Sequence, residues 1–435
     1  MGDAAHSRML VIMGSGETSP TMVTIHKALL ARLGAGSHTA VLLDTAYAFQ
    51  ENVGDISARA QAYFARSVGL KVSVISDADL PPEQNPEAPA GLAAIRSADW
   101  VFAGPGSPSY ALARWRGGPV ADALRERIAA GAGLTVIASA AAAATGIVAV
   151  PVYEIYKVGA DPHWLDGLDL FGVLGLKVAV IPHYDNAEGG THDTRFCYLG
   201  ERRLAILERE LPEDAAVLGV DEHTALILDL KSAAVEVVGR GGATVRKAGI
   251  STVLPAGTVT TLDDLRSLVR SGIPAAGGVA ACQRTDGDGA AKEPGQGDDQ
   301  VQPARALNEV TTDAEGRFAA ATRDRDSAAM VSAILDLEAA IEAWATDTDE
   351  NDDSDRARAV LRGLVTRLGR SAGQGLADPA DRLRPAVEPL IGLREALRTD
   401  RAYAAADVIR VALAAAGVEL RDTPDGTRWD VISGE

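Results

Sequence analysis

Residues 131–146 read GAGLTVIASAAAAATG, and they constrain the chain more than any other stretch. Leu134-Thr135-Val136-Ile137 is a β-branched run of the kind a buried strand needs. An unbroken run of alanine, the best helix former, begins directly after Ser139. Strand must therefore give way to helix within a residue or two of Ser139. A serine on so sharp a turn stands over the end of a sheet at a helix N-terminus, its hydroxyl among free backbone N–H groups. That is the layout of a nucleophile elbow.

Around this stretch short apolar runs alternate with helical patterns. Residues 9–13 (MLVIM), 39–43, 70–75 and 100–103 read as strands, 20–33, 55–67 and 118–130 as helices, and 80–90 as a proline-rich loop. Residues 150–158 (VPVYEIYKV) read as a strand carrying Glu154. Residues 177–182 (KVAVIP) read as a strand that delivers His183 at its C-terminal end. Such alternation implies an α/β fold, a doubly wound and mostly parallel sheet with helices on both faces. The ends of its strands are where chemistry is placed.

Two glycine-rich turns follow strands. Gly14-Ser15-Gly16-Glu17 lacks both the third glycine of a dinucleotide fingerprint and the Gly-Lys-Thr of a P-loop, so it reads as a tight turn or a phosphate cradle. Gly104-Pro105-Gly106-Ser107 lets backbone approach a ligand and aims N–H groups at an anion. Ser139…Glu154…His183 is the chain order used by α/β hydrolases. Each of the three also has a plain reading, as a helix-start serine, an exposed strand carboxylate and a loop histidine. Together at strand ends they point to a serine hydrolase.

Composition bounds the rest. At 435 residues the chain is too long for one ordinary core, and 47% hydrophobic content supports globular folding. No apolar run reaches membrane-spanning length and the N-terminus lacks a signal pattern. Cys197 and Cys282 make no disulfide framework, and no CxxC or HxxxH pair is present. The expectation is a cytoplasmic protein that uses no metal and no cofactor. A net charge of −18 disfavours generalised nucleic-acid binding without excluding a local basic stripe.

With these residues assembled, the stretch from about 9 to 245 resembles the S51 serine peptidase family, which includes dipeptidase E and cyanophycinase and has the class I glutamine-amidotransferase-like fold. The resemblance is carried by Gly14–Glu17, Phe102–Ser107 and Ala138–Ala141, then by Pro182-His183-Tyr184. It continues in Arg195, Glu201-Arg202-Arg203-Leu204 and Val220-Asp221-Glu222-His223-Thr224-Ala225. It implies Ser139 as nucleophile, His183 as general base and Glu154 as the acid that orients it. It implies an oxyanion hole from the N–H groups of Ala140 and Gly106, and Arg195, Arg202 and Arg203 as holders of a substrate carboxylate. Two departures stand out. Ile137 and Ala141 occupy the glycine positions of the Gly-x-Ser-x-Gly elbow, and Pro105 replaces a glycine and has no N–H to donate.

Residues 275–304 are rich in Gly, Asp, Gln and Ala without periodicity and read as a flexible linker. Beyond residue 307 the pattern is helical over 328–344, 358–368, 386–397 and 403–415, an all-α bundle. This half resembles the C-terminal region of cysteinyl-tRNA synthetases, above all in Arg394-Glu395-Ala396-Leu397-Arg398, Ala406–Arg410 and 417–429 (GVELRDTPDGTRW). No HIGH or KMSKS signature and no zinc-binding cysteine set accompany it. From Pro303 onward there are 17 arginines, no lysine and 25 acids, a net of −8. Arg394, Arg398, Arg401 and Arg410 are the candidates for an RNA-binding stripe.

The sequence thus reads as an S51-like domain over 1–274, a linker over 275–306 and a synthetase-like helical domain over 307–435. The expected function is hydrolysis of a small peptide, amide or ester through acyl-Ser139, with the tail directing the enzyme to tRNA or an aminoacyl-linked substrate. The alternative is a catalytically degenerate regulatory protein that binds tRNA or another protein. The parallel-sheet half is also a candidate for pairing into a homo-oligomer.

Overall fold

The structure is a computed structural model that describes residues 8–76, 88–189, 192–273, 305–345, 353–374, 379–423 and 426–432. The expected linker over 275–304 and nearly all of the proline-rich loop lie outside these residues. The chain divides into two compact units, one made of Met1–Ala306 and Ala343–Asn351 and one made of Leu307–Glu342 and Asp352–Glu435.

The first unit opens with five strands, β1 (Met9–Met13), β2 (Ala40–Leu43), β3 (Ser73–Ile75), β4 (Trp100–Ala103) and β5 (Leu134–Ala138). Four more follow, β6 (Val148–Ala149), β7 (Leu165–Asp166), β8 (Val178–Ile181) and β9 (Ala216–Val220). The unit closes with β10 (Thr224–Asp229), β11 (Ala234–Gly239), β12 (Gly242–Lys247), β13 (Ile250–Pro255) and β14 (Val259–Thr261). An eight-stranded sheet has the order β14-β11-β10-β1-β5-β4-β2-β3, and a six-stranded sheet the order β13-β12-β9-β8-β6-β7. The β1–β5 block pairs wholly in parallel, and β10, β11 and β14 extend it in antiparallel fashion.

The apolar strand runs are explained by burial on both faces. Along the first strands alternate residues enter two different cores. Leu10, Ile12, Val41, Leu43, Val101, Ala103 and Ile137 join one shared with the six-stranded sheet. Met9, Val11, Met13, Leu42, Trp100, Phe102 and Val136 join the other. Each fully buried Val, Leu or Ile contributes about 1.5–3 kcal/mol. In-register pairing of Met13 with Ala138 and of Ala103 with Ile137 ends β1, β4 and β5 at one level, so their C-terminal turns meet.

Two expectations are corrected here. Residues 150–158 do not form a strand. After the two-residue β6 and Pro151, Glu154–Val158 is a single π-helical turn that ends at Gly159 with φ +85°. The second unit is not all helix. Leu307–Arg323, Ser327–Trp344, Asp353–Gln374, Pro379–Thr399 and Tyr403–Ala415 are helices, but β15 (Val418–Thr423) and β16 (Gly426–Val431) close the unit as an antiparallel hairpin. Val418 and Leu420 pack with Val387, Ile391 and Leu413. No helix of the described residues is long and apolar enough to cross a membrane.

Arg394 ties this hairpin to the helices. Its side chain is 1% exposed, and Nη1 and Nη2 donate to the two carboxylate oxygens of Asp422 at 2.8 and 3.0 Å. Arg398 shares that carboxylate at 2.9 Å. Arg394 therefore drops out of the RNA-binding stripe, because its guanidinium is buried and both of its Nη atoms are held by Asp422. Arg401 and Arg410 are exposed.

Replacing Asp422 by Ala would strand the buried guanidinium and cost about 2 kcal/mol, read as lost hydrogen-exchange protection over β15 and β16. The Arg394 hydrogen bond holds the Asp422 carboxyl well below the usual carboxylate range. The unfolded chain then binds more protons than the folded one near pH 4, so the hairpin is at full strength above that pH and weakens below it. Equal protection of these amides in wild type and Asp422→Ala would refute both expectations.

Candidate active site

Ser139 is the first residue of a five-residue helix, Ser139–Ala143, that starts directly at the end of β5. Its φ is +45°, a left-handed conformation costing a non-glycine residue about 1–2 kcal/mol. Such strain persists where the surroundings over-determine it. Ala140–Ala144 are all buried, so the alanine run is a packing requirement as well as a helix signal. The Ala141 N–H donates to the Gly104 carbonyl at 3.2 Å, joining the elbow to the turn after β4. Ile137 is no obstacle. It lies in register between Ile12 and Ala103, with 1% exposure, and its side chain fills the core.

His183 follows β8 and Pro182, and it too has a positive φ, +48°. Its N–H donates to the Gly14 carbonyl at 3.3 Å, and its own carbonyl accepts from the Cys197 N–H at 3.1 Å. Held this way, its Nε2 lies 2.9 Å from Ser139 Oγ. Its Nδ1 lies 2.9 Å from Glu222 Oε1.

Glu222, not Glu154, is thus the carboxylate beside His183. Glu154 sits in the π-helical turn, and among the described residues its Oε2 is buried with no hydrogen-bond partner. Glu222 occupies the tight turn between β9 and β10. Its N–H donates to Asp185 Oδ1 at 2.7 Å, and Asn186 Nδ2 donates to its Oε1 at 3.1 Å. Burial pushes the Glu222 carboxyl up, but the hydrogen bond and charge of His183, with Asn186, bring it below the ordinary value. The sequence signal for Glu222 was its place between two buried apolar runs, 216–220 and 224–228, a turn at strand ends where His183 also emerges. Chain order alone favoured Glu154.

The glycines make this closeness feasible. A Cβ on Gly14 would stand 2.1 Å from the Asp221 carbonyl oxygen, so the turn carrying Glu222 rests directly on the backbone after β1. Of the two readings of that segment, this packing accounts for the tight turn. Gly106 has φ +131°, and a Cβ there would stand 2.0 Å from the Ala46 carbonyl oxygen. The Ser107 N–H donates to that same oxygen at 2.8 Å. The Gly104–Gly106 turn is thereby held beside the elbow.

The three arginines after His183 are largely engaged elsewhere. Arg195 Nε and Nη2 donate to Asp193 at 2.9 and 3.0 Å, and its guanidinium lies 5.1 Å from the Phe196 ring centroid. Arg203 Nη1 donates to the Leu199 carbonyl at 3.4 Å, and Arg202 is exposed on the helix Gly200–Glu208. The buried cation of this region is Arg246, paired with Glu201 and Glu208, which sequence reading passed over. Burial pushes the Cys197 thiol up to about 12, so it is an inert core residue. Among the described residues no group of three or more His, Cys, Asp or Glu is placed to hold a metal ion.

The profile of Peptidase family S51 matches residues 10–235, more than half of the chain. The chain belongs to family S51. Its C-terminal helical region is similar to a different set of proteins. The cysteine–tRNA ligase of Salinibacter ruber is 43% identical over 83 residues, 18% of this chain and 16% of the ligase. That of Halobacterium salinarum is 36% identical over 127 residues, 28% of this chain and 26% of the ligase. The S51 chain therefore spans only about a sixth to a quarter of these relatives. A crystal structure of a peptidase from an acI-B1 actinobacterium is 20% identical and covers 60% of this chain and 98% of its own, with a TM-score of 0.46.

Two measurements check the site. Glu222→Gln is expected to slow fluorophosphonate labelling of Ser139 by up to about 10⁴-fold, as loss of the orienting carboxylate does in serine hydrolases, while Glu154→Gln changes it less than about threefold. The reverse ranking would restore Glu154. Iodoacetamide at pH 8 is expected to leave Cys197 unmodified in the folded protein, which peptide mapping by mass spectrometry reads directly.

Proposed function

We propose that this S51 family member is a serine-type hydrolase that cleaves a small peptide, amide or ester through acyl-Ser139. The observation that carries the reading is the unbroken hydrogen-bond chain Ser139–His183–Glu222, with 2.9 Å at each link. Ser139 Oγ attacks the substrate carbonyl as its proton passes to His183 Nε2. Glu222 accepts from Nδ1–H, fixing the tautomer and stabilising the imidazolium that forms. The N–H of Ala140, in the first helical turn where no intrahelical acceptor exists, and that of Gly106 receive the developing oxyanion. Pro105 leaves Gly106 as the donor on that side of the turn. His183 then returns the proton to the leaving group, and water repeats the sequence on the acyl-enzyme.

We further infer that the synthetase-like second unit directs the enzyme to tRNA, with Arg401 and Arg410 as phosphate contacts and Arg398 divided between Asp422 and the ligand. The support is its likeness to cysteine–tRNA ligases.

The first experiment is fluorophosphonate labelling of wild type, Ser139→Ala and His183→Ala. Labelling of wild type that disappears in both variants is expected, and an unlabelled, folded wild type would defeat the hydrolase reading. Separately, wild type is expected to retard bulk tRNA in a gel at low salt, with a shift weakened at least about tenfold by Arg401→Glu with Arg410→Glu and by raising salt to 0.2 M. No shift at micromolar protein would end the tRNA reading.

A further inference from the structure

The turn that carries His183 also holds Glu222, through two residues that the acyl-transfer steps leave unused. His183-Tyr184-Asp185-Asn186 follows β8 and Pro182. The His183 carbonyl accepts the Asn186 N–H at 3.2 Å, which closes the turn. Asp185 Oδ1 accepts the Glu222 N–H at 2.7 Å, and Asn186 Nδ2 donates to Glu222 Oε1 at 3.1 Å. One residue grips the backbone of Glu222 and the other its carboxylate. His183 Nδ1 lies 2.9 Å from that same Oε1, so imidazole and amide converge on one oxygen.

A glutamate in this place needs a second holder. Its long side chain loses rotamer freedom when fixed, and that of Glu222 keeps 27% exposure, an open side toward which it can turn. Asn186 is 0% exposed, although asparagine is mostly a surface residue. Its plain role is to complete a turn. Its Oδ1 accepts the Glu188 N–H two residues on at 3.3 Å, as Asn, Asp and Ser side chains do in turns. That role uses the side-chain oxygen alone, and aspartate would fill it as well. The NH2 group is surplus to the turn, and it is the NH2 group that faces Glu222. A donor at Glu188 and a carboxylate at Glu222 fix the amide one way round, since the flipped amide would set oxygen against oxygen and N–H against N–H.

We propose that Asn186 is a positioning residue, whose amide holds the Glu222 carboxylate against His183 Nδ1 and so keeps His183 Nε2 turned to Ser139. Its importance for hydrolysis rests on the Ser139 reading; its hold on the His183–Glu222 pair does not. Asn186 acts through Glu222 alone. Without the amide, Oε1 accepts from His183 only, and the carboxylate is at liberty to swing toward water on its exposed side.

The test is a double-mutant cycle read by the rate of fluorophosphonate labelling of the full-length protein. Asn186→Asp keeps the turn acceptor and exchanges the donor for a carboxylate facing Glu222. It is expected to slow labelling about tenfold in the wild-type background. In Glu222→Gln, where the group it acts through is already gone, the further loss is expected to stay below about threefold. Asn186→Ser retains a turn acceptor without added charge, and is expected to follow the same pattern should a buried carboxylate prevent folding. Labelling of both Asn186 variants at the wild-type rate overturns the proposal. So does an equal loss in the two backgrounds, which a role in the turn alone would give. The low-field proton of His183 Nδ1, followed by NMR and assigned by its loss in His183→Ala, keeps the two readings apart. It is expected to be sharp in wild type and broadened by exchange with water in the Asn186 variants. That broadening in a protein whose wild type is not labelled supports the hold on Glu222 and removes Ser139 chemistry from it. A labelled wild type whose proton is equally sharp in the Asn186 variants overturns the positioning role alone.

Discussion

The Asp221 carbonyl rests on Gly14 where any other residue would carry a side chain, and the site depends on that contact. Glu222 is the next residue, so the height of this turn over β1 sets where its carboxylate stands. The same backbone segment accepts the His183 N–H at the Gly14 carbonyl. Glu222 and His183 are therefore hung from one residue after the central strand, and Ser139 emerges from the strand paired in register beside it. Three side chains from distant parts of the sequence meet because three turns share one level at the sheet end.

Strain is distributed to match. Ser139, His183 and His223 all have positive φ, as do Phe196, Cys197 and Tyr198 in the segment that covers His183. These residues lie between strands and helices whose burial on both faces supplies the opposing free energy. The hydrogen bonds that fix them are backbone to backbone, with Ala141 to Gly104, His183 to Gly14 and Cys197 to His183. Positions fixed this way tolerate changes of side chain around them, which is why isoleucine at 137 fits an elbow whose family pattern has glycine. The geometry needed there is the turn at Ser139, and the core accepts the larger neighbour.

The second unit follows another economy. Its arginines outnumber what a hydrophobic bundle needs, yet several are spent internally. Arg394 and Arg398 converge on Asp422, and Arg317 pairs with Asp336. A stripe of arginines read along a helix is therefore a poor guide to a binding face until the partners of each are known. Arg401 and Arg410 keep their exposure.

What the amino-acid sequence determined by itself was local and periodic. The β-branched run before Ser139 and the alanines after it specified a strand-to-helix turn, and apolar runs of strand length specified a sheet buried on both faces. Pairing partners over long separations were decided only by the tertiary structure. Glu154 precedes His183 in the chain and carries the same chemistry as Glu222, so chain order favoured it; Pro151 and a π-helical turn take one away while the β9–β10 turn, seated on Gly14, delivers the other. Burial of Arg394 was equally hidden, because its partner Asp422 belongs to a hairpin that no helical period announces. Hydrogen bonds depend on distances in space, and the sequence specifies those only through the packing of elements far apart along it.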